Sequence, residues 1–88
     1  MMWTVDFSSR TLKFLDKNRV NEEVLEKVRL AVKKFQGEAV SVDIRKAKGK
    51  WTGFYRIRSG KLRIIAAFDF ERKNVFVDVV DWRGNVYK

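Results

Sequence analysis

The sequence of 88 residues contains no cysteine, no histidine and no proline. Without cysteine there is no disulfide framework and no thiol nucleophile, and without histidine as well there is no Cys/His zinc site. The imidazole that serves most enzymes as acid and base near neutral pH is missing too. No cofactor is therefore expected. No low-complexity tract, linker or internal repeat divides the chain, and residues 1–88 are expected to form a single domain near the lower size limit for an independent core. Apolar runs fall far short of the ~20 residues that a membrane-spanning helix needs. The opening Met1-Met2-Trp3-Thr4-Val5-Asp6 lacks the basic-then-apolar layout of a signal peptide. The expectation is a cytoplasmic protein without membrane association.

What is present is a 45% hydrophobic content, with seven Phe and three Trp, enough for a small folded core. Present also is a charge of +9, from twenty Lys and Arg against eleven Asp and Glu. The charge is segregated. Residues 1–43 carry eight basic and seven acidic side chains, and residues 70–88 carry four and three. Residues 44–69 carry Arg45, Lys46, Lys48, Lys50, Arg56, Arg58, Lys61 and Arg63 against Asp69 alone. An ion-paired solvated surface intersperses both signs, whereas a one-sign segment marks a site for a polyanion. Nucleic acid is the first expectation and an acidic protein the second. The cations alternate along strands and do not line an amphipathic helix, which disfavours a membrane surface.

Trp3 to Phe7 alternates apolar and polar residues as a half-buried strand does. Ser8-Ser9 then suits the cap of a short helix whose apolar face is Leu12 and Leu15, with Phe14 beside it. After a break at Asn18–Asn21, Asn21 fits an N-cap, with Glu22 and Glu23 in a dipole-favoured first turn. Val24, Val28, Ala31 and Phe35 recur at helical spacing, flanked by Leu25 and Val32, and Gly37 is a helix stop. Val40 to Ile44 reads either as a short strand or as an extended approach to the sheet. From residue 51 the period becomes two. Trp51–Arg58 and Lys61–Phe70 read as strands around a Ser59-Gly60 turn, and Val75–Trp82 as a third after Glu71–Asn74. The fold class is thus α+β: an N-terminal strand, two antiparallel helices, then a three- to four-stranded, antiparallel-rich sheet with both helices on one face.

With that turn, Arg58 faces Lys61 and Arg56 faces Arg63, so these cations project from one side of one hairpin. Opposed like charges destabilise a sheet. The arrangement calls for a bound anion or an internal carboxylate, and Asp78 on the third strand is a candidate.

Tyr55-Arg56-Ile57-Arg58-Ser59-Gly60-Lys61-Leu62-Arg63-Ile64-Ile65, followed by Asp81-Trp82-Arg83-Gly84-Asn85-Val86-Tyr87, resembles the RelE/ParE toxin superfamily. That family shows a Tyr-Arg-x-Arg first hairpin strand, a Gly-x-x-Arg-Ile-Ile/Val central strand and an Arg-x-x-x-Tyr close to the chain end. The leading helices and Lys48-Gly49 before the sheet also match. The resemblance implies the toxin of a type II toxin–antitoxin pair with a RelE-like fold, acting as a ribosome-dependent endoribonuclease on messenger RNA. An acidic RelB-like antitoxin, the ribosome, messenger RNA and, for the toxin–antitoxin complex, operator DNA would be its partners. By position it implies a catalytic set of Arg56, Arg58, Arg63, Arg83 and Tyr87, with Lys48 and Lys50 in contact with RNA. Arg45, Lys46 and Lys61 of the same one-sign segment, and Trp82 by stacking on a base, complete the expected RNA-binding set. Many relatives carry His where Trp82 stands, and both hairpin positions that elsewhere take lysine are arginine here. The alternatives are a ParE-type, non-enzymatic inhibitor of gyrase and a nucleic-acid-binding relative without toxicity.

Overall fold

The computed structural model describes residues 2–84. Strand β1 (Thr4–Phe7) leads into helices α1 (Ser9–Asn18) and α2 (Asn21–Phe35). Strand β2 (Asp43–Lys46), a 3-10 turn (Gly49–Trp51), and strands β3 (Tyr55–Ser59), β4 (Leu62–Asp69) and β5 (Asn74–Trp82) follow. The sheet has five strands in the order β1-β5-β4-β3-β2. It is mixed: β1 runs parallel to β5 and every other pair is antiparallel. The stretch near Val40–Ile44 resolves into an edge strand that begins later, at Asp43.

Local chemistry sets the helix ends. Ser8 accepts a hydrogen bond from the Thr11 N–H and donates one to the Asp78 carbonyl (2.6 Å), which ties the start of α1 to β5. That rotation buries Thr11 and Leu15 and leaves Leu12 54% exposed, so the apolar face differs from the Leu12/Leu15 expectation. Arg19, in the left-handed region (φ 54°), closes α1 through its N–H on the Leu15 carbonyl. The link is then so short that Asn21 already belongs to α2. Val20 takes the cap position without a side-chain bond, and Glu22 and Glu23 supply the favourable charge. At the other end Gly37 (φ 90°) and Glu38 return hydrogen bonds to Lys34 and Lys33, as a left-handed stop does.

Val24, Val28, Ala31 and Val32 of α2 and Leu15 of α1 pack on Ile57, Leu62, Ile64, Ala66, Val75, Val77 and Val80. The Val77-Asp78-Val79-Val80 run does not alternate, and the structure shows why. Ile65 pairs with Val79 but Ala66 pairs with Val77, so Asp78 is the extra residue of a β-bulge. Val77 and Val80 both reach the core as a result, while Val79 turns to the opposite face.

That opposite face carries a second, smaller core. Trp51 packs on Ile65 and Val79, with Ala47 and Phe54 against it. The strand expected from Trp51 to Arg58 accordingly begins only at Tyr55. Residues 49–54 are wound into turns, with Phe54 donating to the Trp51 carbonyl (2.9 Å).

The β3–β4 turn differs by one residue from the expected one. Ser59 pairs with Leu62, so Gly60-Lys61 is the two-residue loop. Gly60 holds φ +59° at the first central position, where a II′ hairpin takes glycine. Ser59 thereby faces the helices and donates a hydrogen bond to Glu23 of α2.

Candidate nucleic-acid interface

The corrected register rearranges the cations. Arg58 faces Arg63 across β3–β4, and Arg56 faces Ile65; Lys61 sits in the turn. Asp43 on β2 opposes Arg58, and Asp81 on β5 opposes Arg63. One cross-strand row on the face away from the helices thus reads Asp43, Arg58, Arg63, Asp81. The next row reads Arg45, Arg56, Ile65, Val79. Asp78, expected as the hairpin's carboxylate, pairs instead with Arg10 of α1 (3.3 Å), because the bulge aims it toward the start of that helix. Asp43 and Asp81 occupy the positions that moderate the Arg58–Arg63 repulsion.

Arg63 is buried, and its Nη1 donates to the carbonyls of Gly60 (2.7 Å) and Leu62 (2.8 Å). Burial pushes its pKa below the ordinary arginine value; Arg58, Arg83 and Arg56 push in the same direction, and Asp43 opposes them. Three other members of the expected catalytic set are therefore close enough to act on the charge of Arg63. Arg83 reaches the group from beyond β5, where its N–H donates to the Lys61 carbonyl (2.6 Å), pinning the post-strand turn to the hairpin tip. Tyr87, the fifth, lies outside the described residues.

Of the residues expected to contact RNA, Arg45, Lys46 and Lys48 line, together with Arg56, a concavity of about 290 Å³ beside the arginine row. Lys50 stacks over the Trp51 ring (5.4 Å to the centroid). Lys61 is exposed in the turn. Trp82, by contrast, pairs with Leu62 on the helix side and its ring packs on Phe14 (5.5 Å). The structure does not bring it to the basic face.

Arg10 was not marked by the sequence. Its Cζ lies 5.4 Å from the Trp51 centroid, opposite in chain origin to Lys50, and its Nε donates to the Asp78 carbonyl (3.1 Å). Only the bulge at Asp78 and the fold-back of Trp51 place it on this face, and neither has a local sequence signal. Among the described residues, no group of three or more potential metal-ligating side chains converges, and no helix is long and apolar enough to cross a membrane.

Comparison with known proteins matches the overall fold. The archaeal RelE–RelB complex from Pyrococcus horikoshii superposes with TM-score 0.68 at 23% identity, covering 98% of this chain and 100% of that one. The toxin–antitoxin complex RelBE2 from Mycobacterium tuberculosis gives TM-score 0.64 at 25% identity, over 92% of this chain and 98% of that one. The fold is that of the RelE toxin superfamily. The YoeB–YefM complex from Staphylococcus aureus matches at TM-score 0.61 and 18% identity, over 94% of this chain and 99% of that one. No protein-family profile matches the sequence, and no curated protein matches it.

Proposed function

We propose that this chain is the toxin of a type II toxin–antitoxin pair and that it cleaves messenger RNA on the ribosome. The observation that carries the reading is the in-register Arg58–Arg63 pair, with Arg56 and Arg83 within its electrostatic reach, on the sheet face opposite the helices. Full-length likeness to RelE and YoeB structures supports it.

The chemistry suits a site built from arginine. The 2′-OH of the RNA attacks its own neighbouring phosphodiester: the 2′-O–P bond forms, the 5′-O–P bond breaks, and a 2′,3′-cyclic phosphate and a 5′-hydroxyl result. The nucleophile belongs to the substrate. The protein's task is to orient it, to neutralise charge growing on the phosphorane oxygens, and to move a proton from the 2′-OH and one to the leaving oxygen. Guanidinium groups do the second of these without ever losing their own charge. Arg63, locked onto the Gly60 and Leu62 carbonyls, is preorganised and holds the hairpin tip in shape, while exposed Arg58 and Arg83 are free to grip the phosphate. Tyr87 is the proposed proton-transfer or stacking group. General acid–base assistance is typically worth ~10²–10⁴-fold, so a histidine-free site is expected to be slow on free RNA and to depend on positioning by the ribosome.

The same basic face is the proposed seat of an acidic antitoxin. The Pyrococcus horikoshii and Staphylococcus aureus structures are complexes with RelB and YefM, and the paired proteins would together bind operator DNA. Mapping of messenger ends in a translating extract tests the nuclease; a gyrase supercoiling assay tests the ParE-type alternative. Cleavage that needs ribosomes, with supercoiling unaffected, is the expected outcome. Inhibition of gyrase without cleavage overturns it.

A further inference from the structure

We propose that Glu23 of α2 is a positioning residue for the arginine row: through Ser59 it holds the β3–β4 hairpin in the register that sets Arg58 opposite Arg63. The bearing of that register on cleavage rests on the ribonuclease reading above; the hold on the register does not.

The apolar pattern of the hairpin does not choose its register. In the observed ladder Ser59 pairs with Leu62, Arg58 with Arg63 and Ile57 with Ile64, around a Gly60-Lys61 loop. Closing the hairpin on Ser59-Gly60 would pair Arg58 with Lys61, Ile57 with Leu62 and Arg56 with Arg63. That slip moves one strand past the other by two residues, about 6.6 Å at a rise of ~3.3 Å per residue. A slip of one residue turns every side chain to the other face, but a slip of two turns none. Ile57, Leu62 and Ile64 would still face the helices. Hydrophobic facing therefore fits both registers, and turn geometry and polar contacts separate them.

Some of those contacts lie at the tip itself. Gly60 holds φ +59°, Arg63 Nη1 donates to the Gly60 and Leu62 carbonyls, and the Arg83 N–H donates to the Lys61 carbonyl. The Ser59–Glu23 hydrogen bond differs in kind, because it fixes the tip against the helix layer. Ser59 is only 8% exposed, and its hydroxyl donates to a carboxylate, a charge-assisted bond. Val24, the next residue of α2, is buried in the same core as Ile57, so the helical turn that carries the carboxylate is itself anchored. In the slipped register Ser59 leaves the ladder for the loop and gives up this partner. Arg58 adjoins Ser59 and faces the other way, so the place of Ser59 under α2 sets where Arg58 stands between Asp43 and Arg63. Glu22 and Glu23 share the first turn of α2, where negative charge is favourable, but the bond to Ser59 belongs to Glu23.

The test reads the register in the free protein by cross-strand NOEs, and its consequence by cleavage of a defined messenger over a range of ribosome concentrations. The wild type should show Arg58–Arg63 contacts. Glu23→Ala should weaken them, introduce Arg58–Lys61 contacts, and lower the saturating cleavage rate by about tenfold while leaving the half-saturating ribosome concentration within about twofold. Glu23→Gln, which keeps an acceptor oxygen, should restore register and rate, and Glu22→Ala should match the wild type in both. Ser59→Ala and the Glu23→Ala/Ser59→Ala double variant should match Glu23→Ala, since the two residues form one contact. Should Glu23→Ala fail to fold, Ser59→Ala carries the same expectation. Wild-type contacts or a wild-type rate in the alanine variants, additive losses in the double variant, no restoration by Glu23→Gln, or an equal loss in Glu22→Ala overturns the assignment. A wild type that cuts no messenger removes the ribonuclease reading, and the NOEs still decide whether Glu23 holds the register.

Discussion

Arg58 and Arg63 stand directly opposite one another in the β3–β4 ladder, and Asp43 and Asp81 lie at the two ends of the same row. The two arginines are not equivalent. Arg63 is buried and donates to two backbone carbonyls of its own hairpin, whereas Arg58 is exposed.

Stability should therefore separate them. Arg63→Gln loses charge-assisted hydrogen bonds to Gly60 and Leu62 and is expected to destabilise by about 1.5–3 kcal/mol. Arg58→Gln removes a surface cation from an opposed like-charge pair and should leave stability within about 0.5 kcal/mol of wild type. Urea denaturation of both variants measures the difference, and equal destabilisation would show that Arg63 is not the anchor of the tip.

Trp51 closes the small core on the basic face and gives Arg10 and Lys50 a common aromatic surface. Trp51→Ala should lower stability by about 3 kcal/mol, near the low end for a buried tryptophan. It should also weaken RNA binding, since Ala47 and Lys48 lose their support. Thermal denaturation and a binding titration on the same preparation check both halves.

Gly60 occupies φ +59° at the hairpin turn with open space around the missing side chain. The penalty for alanine is then conformational and not steric: Gly60→Ala should cost about 1–2 kcal/mol. A null effect would contradict the Gly60-Lys61 turn and the Arg58–Arg63 register that follows from it.

If the basic face binds RNA through phosphates, affinity falls steeply with salt. Arg83→Gln should reduce the slope of log K against log salt by about 1 while the fold is unchanged. An unaltered slope would place Arg83 outside the interface.

Much of the architecture was legible in the sequence, because period-two and helical spacing are written directly into residues 4–7, 24–35 and 62–69. The resemblance carried the fold class further than periodicity did. The misreadings have specific causes. Ser59-Gly60 and Gly60-Lys61 both place glycine in a two-residue turn, and only tertiary pairing selects the second, in which Ser59 meets Glu23. That one-residue choice moved Arg56 from facing Arg63 to facing Ile65. The Asp78 bulge hides in a Val-Asp-Val-Val run that resembles ordinary alternation with a slip. Trp51 reads as the start of a strand because an aromatic beside alternating residues looks the same whether it extends or folds back. The parallel pairing of β1 with β5 depends on contacts between the two chain ends and has no local signature. Of the site, the grouping of Arg56, Arg58, Arg63 and Arg83 was legible. The placement of Trp82 on the helix side and the recruitment of Arg10 were not, since each depends on register and bulge.

The central claim is that an arginine-built phosphate site, without histidine, cuts messenger RNA on the ribosome. Its most direct test is primer-extension mapping of a defined messenger in a purified translation system, comparing wild type, Arg58→Ala and Arg83→Ala. The account predicts discrete ribosome-dependent cuts with the wild type and a loss of at least ~10²-fold in rate for each variant. No cuts by the wild type, or cuts at undiminished rate by both variants, would contradict it.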